Sequence, residues 1–200
     1  TLYPSDLWRA GDVIRDTHLL QLPADTPVPA LYWLRLGLAD ESGARVTFND
    51  NSDMLSLGPW RVRAKSTSLP PTYRTDVTVG ESMTLHGYDV AVDESLTITL
   101  TWSTKTTPPQ DYNVFVHLVG ADGAMIAQHD GSPNQGRYPT MWWLPGDVIA
   151  DVHILPIPAS LPKETSLRVG MYDPITLIRL PITDADGARL PDDIISFPLP

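Results

Sequence analysis

Five histidines and 24 carboxylates are the groups in this 200-residue chain that could move a proton or hold a cation. Cysteine is absent, which removes disulfides, thiolate metal sites and thiol nucleophiles together. Two histidines share one setting, Asp16-x-His18 and Asp151-x-His153. On a strand, residues i and i+2 share a face about 7 Å apart, so each pair could polarise an imidazole or offer two ligands to a metal. A metal needs a third ligand and the sequence clusters none with them, so both pairs are read as a solvated strand face on which Asp orients His. His117 alternates with apolar neighbours and is expected half-buried on a strand, while a capped turn at Gly131-Ser132-Pro133 accounts for His129 and Asp130. Neither G-x-S-x-G nor H-E-x-x-H occurs, so serine and zinc hydrolysis have no candidate residues.

A glycosidase needs two carboxylates flanking a cleft. Of the 24 acids, 20 are Asp, so some pair will always lie close and proximity identifies nothing. Nearly all sit at predicted turns or strand ends, where Asp is favoured over Glu. Two Asp-rich loops resemble calcium loops in part. In residues 49–53 oxygens alternate, but Met54 stands where a helix–loop–helix site needs Gly; Asp184-Ala185-Asp186-Gly187 continues into Ala188 with no closing Glu. Both are read as polar turns, with a non-standard calcium site on the same loops as the alternative. No catalytic residue, metal ligand or cofactor is assigned.

The aromatic residues are the better binding candidates. Tyr138, Trp142 and Trp143 crowd into six residues beside Asn134, Gln135 and Asp147, a combination of flat rings, amides and a carboxylate that could stack and hydrogen-bond a sugar. Tyr138 and Trp143 recur as Tyr3 and Trp8 and are expected to plug a core; Trp142 is replaced by Leu7 and is expected to be the exposed ring.

Those recurrences belong to an internal repeat. Residues 3–25 match 138–160 at 12 of 23 positions without a gap. After a two-residue slip, Leu34, Arg35, Gly37 and Asp40 fall on Leu167, Arg168, Gly170 and Asp173. Period-two alternation dominates throughout, most plainly where Leu96, Ile98, Leu100 and Trp102 share a face. Twelve strands are predicted, at about 12–20, 32–39, 44–48, 54–63, 82–91, 96–103, 112–119, 124–130, 147–156, 166–173, 178–182 and 193–198, with a hairpin at Ala121-Asp122-Gly123 and a type II turn at residues 144–147. The fold class is all-β, an antiparallel β-sandwich of Ig-like or jelly-roll-like kind preceded by a partial repeat of itself. Residues 77–200 are expected to form a complete sandwich, 64–76 a linker, and 1–63 the C-terminal half of a first repeat. That half has one apolar face and needs a covering layer from the second domain, from residues outside this chain or from another molecule.

A net charge of −10 with three scattered lysines argues against a nucleic-acid partner. No run approaches the roughly 20 apolar residues of a membrane span, and the first residues do not read as a signal peptide. The stretch 111–133 followed by Tyr138-Pro139-Thr140-Met141-Trp142-Trp143-Leu144-Pro145-Gly146-Asp147 resembles the β-sandwich segments C-terminal to the membrane part of bacterial (Chloroflexus-like) glycosyltransferases of the dolichyl-phosphate-mannose-protein mannosyltransferase type. The resemblance covers most of 78–200 and, as a half-copy, 1–63. It implies an extracytoplasmic, cell-surface accessory module without catalytic residues of its own, tethered by a membrane region outside this chain. The expected partners are that membrane domain, a glycan at the Trp142 cluster, or a second copy that completes the half-sandwich in a homodimer. A free-standing carbohydrate-binding module and an enzyme of unknown type are the competing readings.

Overall fold

The structure is a computed structural model that describes residues 5–63, 70–158, 160–162 and 164–199. In the first unit, β1 (Ala30–Leu36) pairs with β4 (Leu55–Val62), and β2 (Leu38–Ala39) with β3 (Arg45–Val46). The second unit is a sandwich of two antiparallel sheets. It is built from β5 (Tyr73–Val79), β6 (Met83–Val92), β7 (Ser95–Thr104), β8 (Asn113–Val119), β9 (Met125–Gly131), β10 (Val148–Pro156), β11 (Ser166–Tyr172), β12 (Ile182–Thr183) and β13 (Ile195–Pro198). One sheet has the order β10-β7-β6-β5-β12 and the other β13-β11-β8-β9. No helix among the described residues is long and apolar enough to cross a membrane.

Alternation places the core where it was expected. Leu96, Ile98, Leu100 and Trp102 of β7 are fully buried and meet Val116, Leu118, Leu167 and Val169 of the facing sheet in one cluster. Period two on both sheets gives each strand one apolar face, and stacking the two faces removes both from water. The β8–β9 hairpin closes at Ala121-Asp122-Gly123, with Gly123 at φ +80° and the Asp122 carboxylate accepting from the Ala124 amide.

Three expectations fail in instructive ways. Residues 12–20 form no strand, although their counterparts in β10 pair with β7 along nine residues, from Val148↔Ser103 to Pro156↔Ser95. Among its described residues the first unit contains no counterpart of β7, and a strand has no ladder hydrogen bonds without a neighbour. Strand β5 begins at Tyr73, inside the stretch read as a 64–76 linker; residues 64–69 of that stretch lie outside the described residues. Its alternation, with Val77 and Val79 inward, is short and broken by a bulge between Arg74 and Val77. The strand expected at 178–182 shrinks to Ile182–Thr183, which closes the sheet edge beside β5.

The repeat extends further than its sequence identity. Register pairs Leu34↔Leu57, Arg35↔Ser56 and Leu36↔Leu55 in the first unit, and Leu167↔Phe197, Arg168↔Ser196 and Val169↔Ile195 in the second. The β1–β4 pair is therefore the counterpart of β11–β13. Gly37 and Gly170 occupy the same niche: a Cβ there would lie 3.1 Å from the Asp53 carbonyl or 3.0 Å from the Asp193 carbonyl. The turn Asp40-Glu41-Ser42-Gly43-Ala44 has the hydrogen bonds of Asp184-Ala185-Asp186-Gly187-Ala188: the first carboxylate accepts from the amides of the third and fifth residues in both. So Asp40 answers in space to Asp184, not to Asp173 as the sequence alignment had it. Residues 173–183 are an insertion that supplies β12.

These loops are polar turns whose carboxylates are occupied by their own backbone. Asp50 accepts from the amide and hydroxyl of Ser52, and the Ser42 and Ser52 hydroxyls hold Asp40 and Asp50 below the usual carboxylate range. An Arg follows both long turns. Arg45 reaches Asp53 at 3.2 Å, and Arg189 grips Asp193 with both arms of its guanidinium, at 2.7 and 2.6 Å. Asp193 is nearly buried, and the Arg189 hydrogen bonds lower its pKa. A carboxylate with a depressed folded-state pKa stabilises the fold above its unfolded pKa and loses that contribution as pH falls through the folded value. In Arg189→Gln the Asp193 carboxyl is expected to titrate at higher pH by NMR, and acid unfolding to begin at higher pH than in the parent. An unmoved Asp193 titration would show that the guanidinium is not what holds it ionised.

Candidate functional site

The sequence-derived site folds around a turn that closes its own hydrogen bonds. A 3₁₀ turn over Thr140–Trp142 leads through Trp143 into a turn at residues 144–147, where Gly146 takes φ +84° and the Asp147 amide donates to the Leu144 carbonyl at 2.9 Å. The Asp147 carboxylate returns to accept from the Leu144 amide at 2.9 Å. The first copy does the same over Ser5–Leu7 and Arg9–Asp12: Asp12 N donates to the Arg9 carbonyl at 3.0 Å, and Arg9 N to the Asp12 carboxylate at 2.9 Å.

Tyr138 and Trp143 are fully buried core plugs, as expected. Trp143 packs against Trp102, with ring centroids 6.5 Å apart, and donates its indole N–H to the Tyr138 carbonyl at 2.9 Å. The Tyr138 hydroxyl donates to Asp147 at 2.6 Å, and burial followed by that carboxylate pushes the phenol well above its ordinary range, so it stays protonated. Trp8, the counterpart of Trp143, is 40% exposed, and Tyr3 lies outside the described residues.

The remaining members of the cluster serve the join between the two units. Arg63 donates to Asp147 at 2.7 Å, Arg61 lies over the Trp142 ring at 5.6 Å, and Asn134 donates its side-chain amide to the Pro29 carbonyl at 2.7 Å. The Leu31 amide donates to the Arg137 carbonyl at 2.9 Å, and Ala30 is buried at the contact. Trp142, expected as the exposed ring, is half-buried beneath a guanidinium. Only Gln135 of the five candidates is exposed. Asn134 and Gln135 both hold left-handed backbone, at φ 54° and 56°, a costly conformation for non-glycine residues that the surrounding bonds must enforce.

Part of that enforcement comes from Asp151. One carboxylate oxygen accepts from the Asn134 amide at 2.8 Å and the other contacts His153 Nε2 at 2.8 Å. His153 Nδ1 in turn meets His129 Nδ1 at 2.8 Å. Asp151 and His153 are 1% exposed, so the pair is not the solvated face the sequence implied. A hydrogen bond between the two δ nitrogens needs one to donate and the other to accept. His129 and Asp130 belong to β9 and not to a capped turn; Asp130 meets His117 at 3.1 Å, and His117 is half-buried as expected. In the first copy Asp16 and His18 keep the same 2.8 Å contact while standing exposed. Among the described residues no group of three or more His, Cys, Asp or Glu gathers as a metal site.

The fold and site define an all-β sandwich protein with a polar join to a preceding half-repeat. Comparison with known proteins returned no matching family model, no curated relative and no similar solved structure.

Proposed function

We propose that the chain is a non-catalytic interaction module in which the Tyr-Pro to Gly-Asp loop clamps one repeat to the next and holds both at a fixed spacing. The observation that carries this reading is the Arg63–Asp147 pair with Arg61 over Trp142, which commits the most reactive-looking loop of the chain to a contact with its neighbour. A carboxylate that already accepts from a buried phenol, a backbone amide and an arginine is held in place by three donors, which suits a fastener better than a general base. A spacer of this kind fits the expectation drawn from the sequence resemblance, a module outside the membrane beside the membrane domain of a glycosyltransferase. A glycan-binding role would use the uncovered edge of Trp142 with Gln135.

The junction gives the test. The chain has no cysteine, so Glu41→Cys and Glu94→Cys accept spin labels cleanly, one on each unit. A narrow distance distribution between them is expected to broaden in Arg61→Ala/Arg63→Ala while the sandwich keeps its thermal midpoint. A distribution unchanged by the double substitution would sink the clamp. Binding on a glycan array that is lost in Trp142→Ala would replace the spacer with a carbohydrate-binding module.

A further inference from the structure

The two copies place equivalent residues in opposite environments. Leu167, Val169, Ile195 and Phe197 are core residues of the sandwich, between 0% and 7% exposed. Their register counterparts Leu34, Leu36, Leu55 and Leu57 are between 38% and 47% exposed. Leu155 is fully buried and its counterpart Leu20 is 67% exposed. In the sandwich, β11 lies between β13 and β8, whereas β1 has β4 on one side and, among the described residues, no strand on the other. Apart from the inserted β12, the strands with no counterpart among the described residues of the first unit are those that residues 73–131 supply to the second: β8 and β9 to extend its sheet, and β5 to β7 to face it.

We propose that the first unit is the receiving half of a β-sandwich, and that its occupant is a polypeptide segment with the strand pattern of residues 73–131, supplied from outside this chain. The segment adds its β8-like strand along the edge of β1 beyond Leu31, whose amide is already held by the Arg137 carbonyl, and lays its β6- and β7-like strands over Leu34, Leu36, Leu55 and Leu57. Residues 12–20 then gain the neighbour they lack and pair as β10 does, which buries Leu20, Asp16 and His18. Main-chain hydrogen bonds along an open edge supply affinity, and alternate side chains entering the apolar layer supply specificity. The receiving residues already suit such a cover: Leu34 and Leu20 are identical to Leu167 and Leu155, and Leu36, Leu55 and Leu57 stand where Val169, Ile195 and Phe197 stand. A second copy of this chain is a poor donor, because its single set of residues 73–131 already closes its own sandwich; lending it would open one half for each half closed. The inference deepens the interaction-module reading and rests on it, but it does not depend on the Arg63 clamp.

The test uses the intact chain in two formats: residues 70–137 duplicated directly ahead of Tyr3, which recreates the Arg137–Tyr138 join, and the same segment added in trans during refolding. Amide hydrogen exchange is read at residues 13–20, 33–36 and 55–58, with β7 and β11 as internal reference. In the unmodified chain the three stretches are expected to exchange at least 100-fold faster than the reference. In either format they should slow to near the reference, and Leu34→Asp/Leu57→Asp should abolish the gain. Fast exchange in both formats would overturn the proposal. So would protection already present in the unmodified monomer, or protection that grows with concentration alongside a dimer mass in light scattering. The spin-label distances report separately on the clamp.

Discussion

Gly87→Ala is expected to be the most damaging single-methyl change in the protein. A Cβ at Gly87 would lie 2.0 Å from the Tyr73 carbonyl oxygen and 2.8 Å from the Pro71 ring, and the residue holds φ +151°. Gly87 sits where β6 slips register against β7, between Leu85 and itself, and opposite Arg74 on β5. The obstructing atom is backbone on an adjacent strand, so relief means separating β5 from β6 and losing ladder hydrogen bonds on both sides. Overpacking with backbone displacement costs up to about 3 kcal/mol, and lost ladder bonds add to it, so about 4 kcal/mol is expected from urea unfolding. Gly123→Ala is the control. It has positive φ but nothing within 4 Å, so it should cost only the left-handed penalty of about 1–2 kcal/mol. Similar losses at both positions would show that backbone conformation, and not the Tyr73 carbonyl, sets the price.

Asp147→Ala is expected to follow closely. It strips the acceptor from the buried Tyr138 hydroxyl, the Leu144 amide and Arg63 at once. Each buried donor left unpaired costs about 1–3 kcal/mol, and Arg63 is too exposed to add much, so about 3–4 kcal/mol is expected in urea unfolding followed by tryptophan emission. Asp147→Asn keeps an acceptor for the phenol and should recover about half of that loss. In the first copy Asp12→Ala leaves the sandwich core untouched and should cost less than about 1 kcal/mol, within the range of an exposed turn or cap residue. Equal losses at Asp12 and Asp147 would mean that the first copy already carries a core like that of the second.

That contrast between copies separates what is locally encoded from what is not. The Asp147 and Asp12 turns form the same bonds in both places because every partner lies within four residues. The same holds for the turns opened by Asp40 and Asp184, which the alignment missed because an 11-residue insertion and a different spacing hide them, yet whose shared Asp, Gly-Ala and Arg could have been found by matching turn chemistry. The inward faces of β7 and β8 were legible for a related reason: strict alternation marks a strand whatever it packs on. Tyr138 and Trp143 were legible as plugs by size and recurrence. The sugar-like grouping of Trp142, Asn134 and Asp147 was equally visible, but Arg61, Arg63 and Pro29, which engage it, come from more than 70 residues away, and nothing in spacing connects them.

The pair Asp16-x-His18 and Asp151-x-His153 shows the boundary most sharply. Sequence alone sets the 2.8 Å carboxylate–imidazole contact in both copies, because two residues of backbone fix it. Whether the pair is a buried link between His129 and Asn134 or an exposed couple in an unpaired segment depends on a neighbouring strand. Turns satisfy their own backbone and therefore travel with their sequence. Strands and cores satisfy theirs through partners distant in the chain, so twelve matched residues in 23 become a buried strand in one copy and an exposed, unpaired segment in the other.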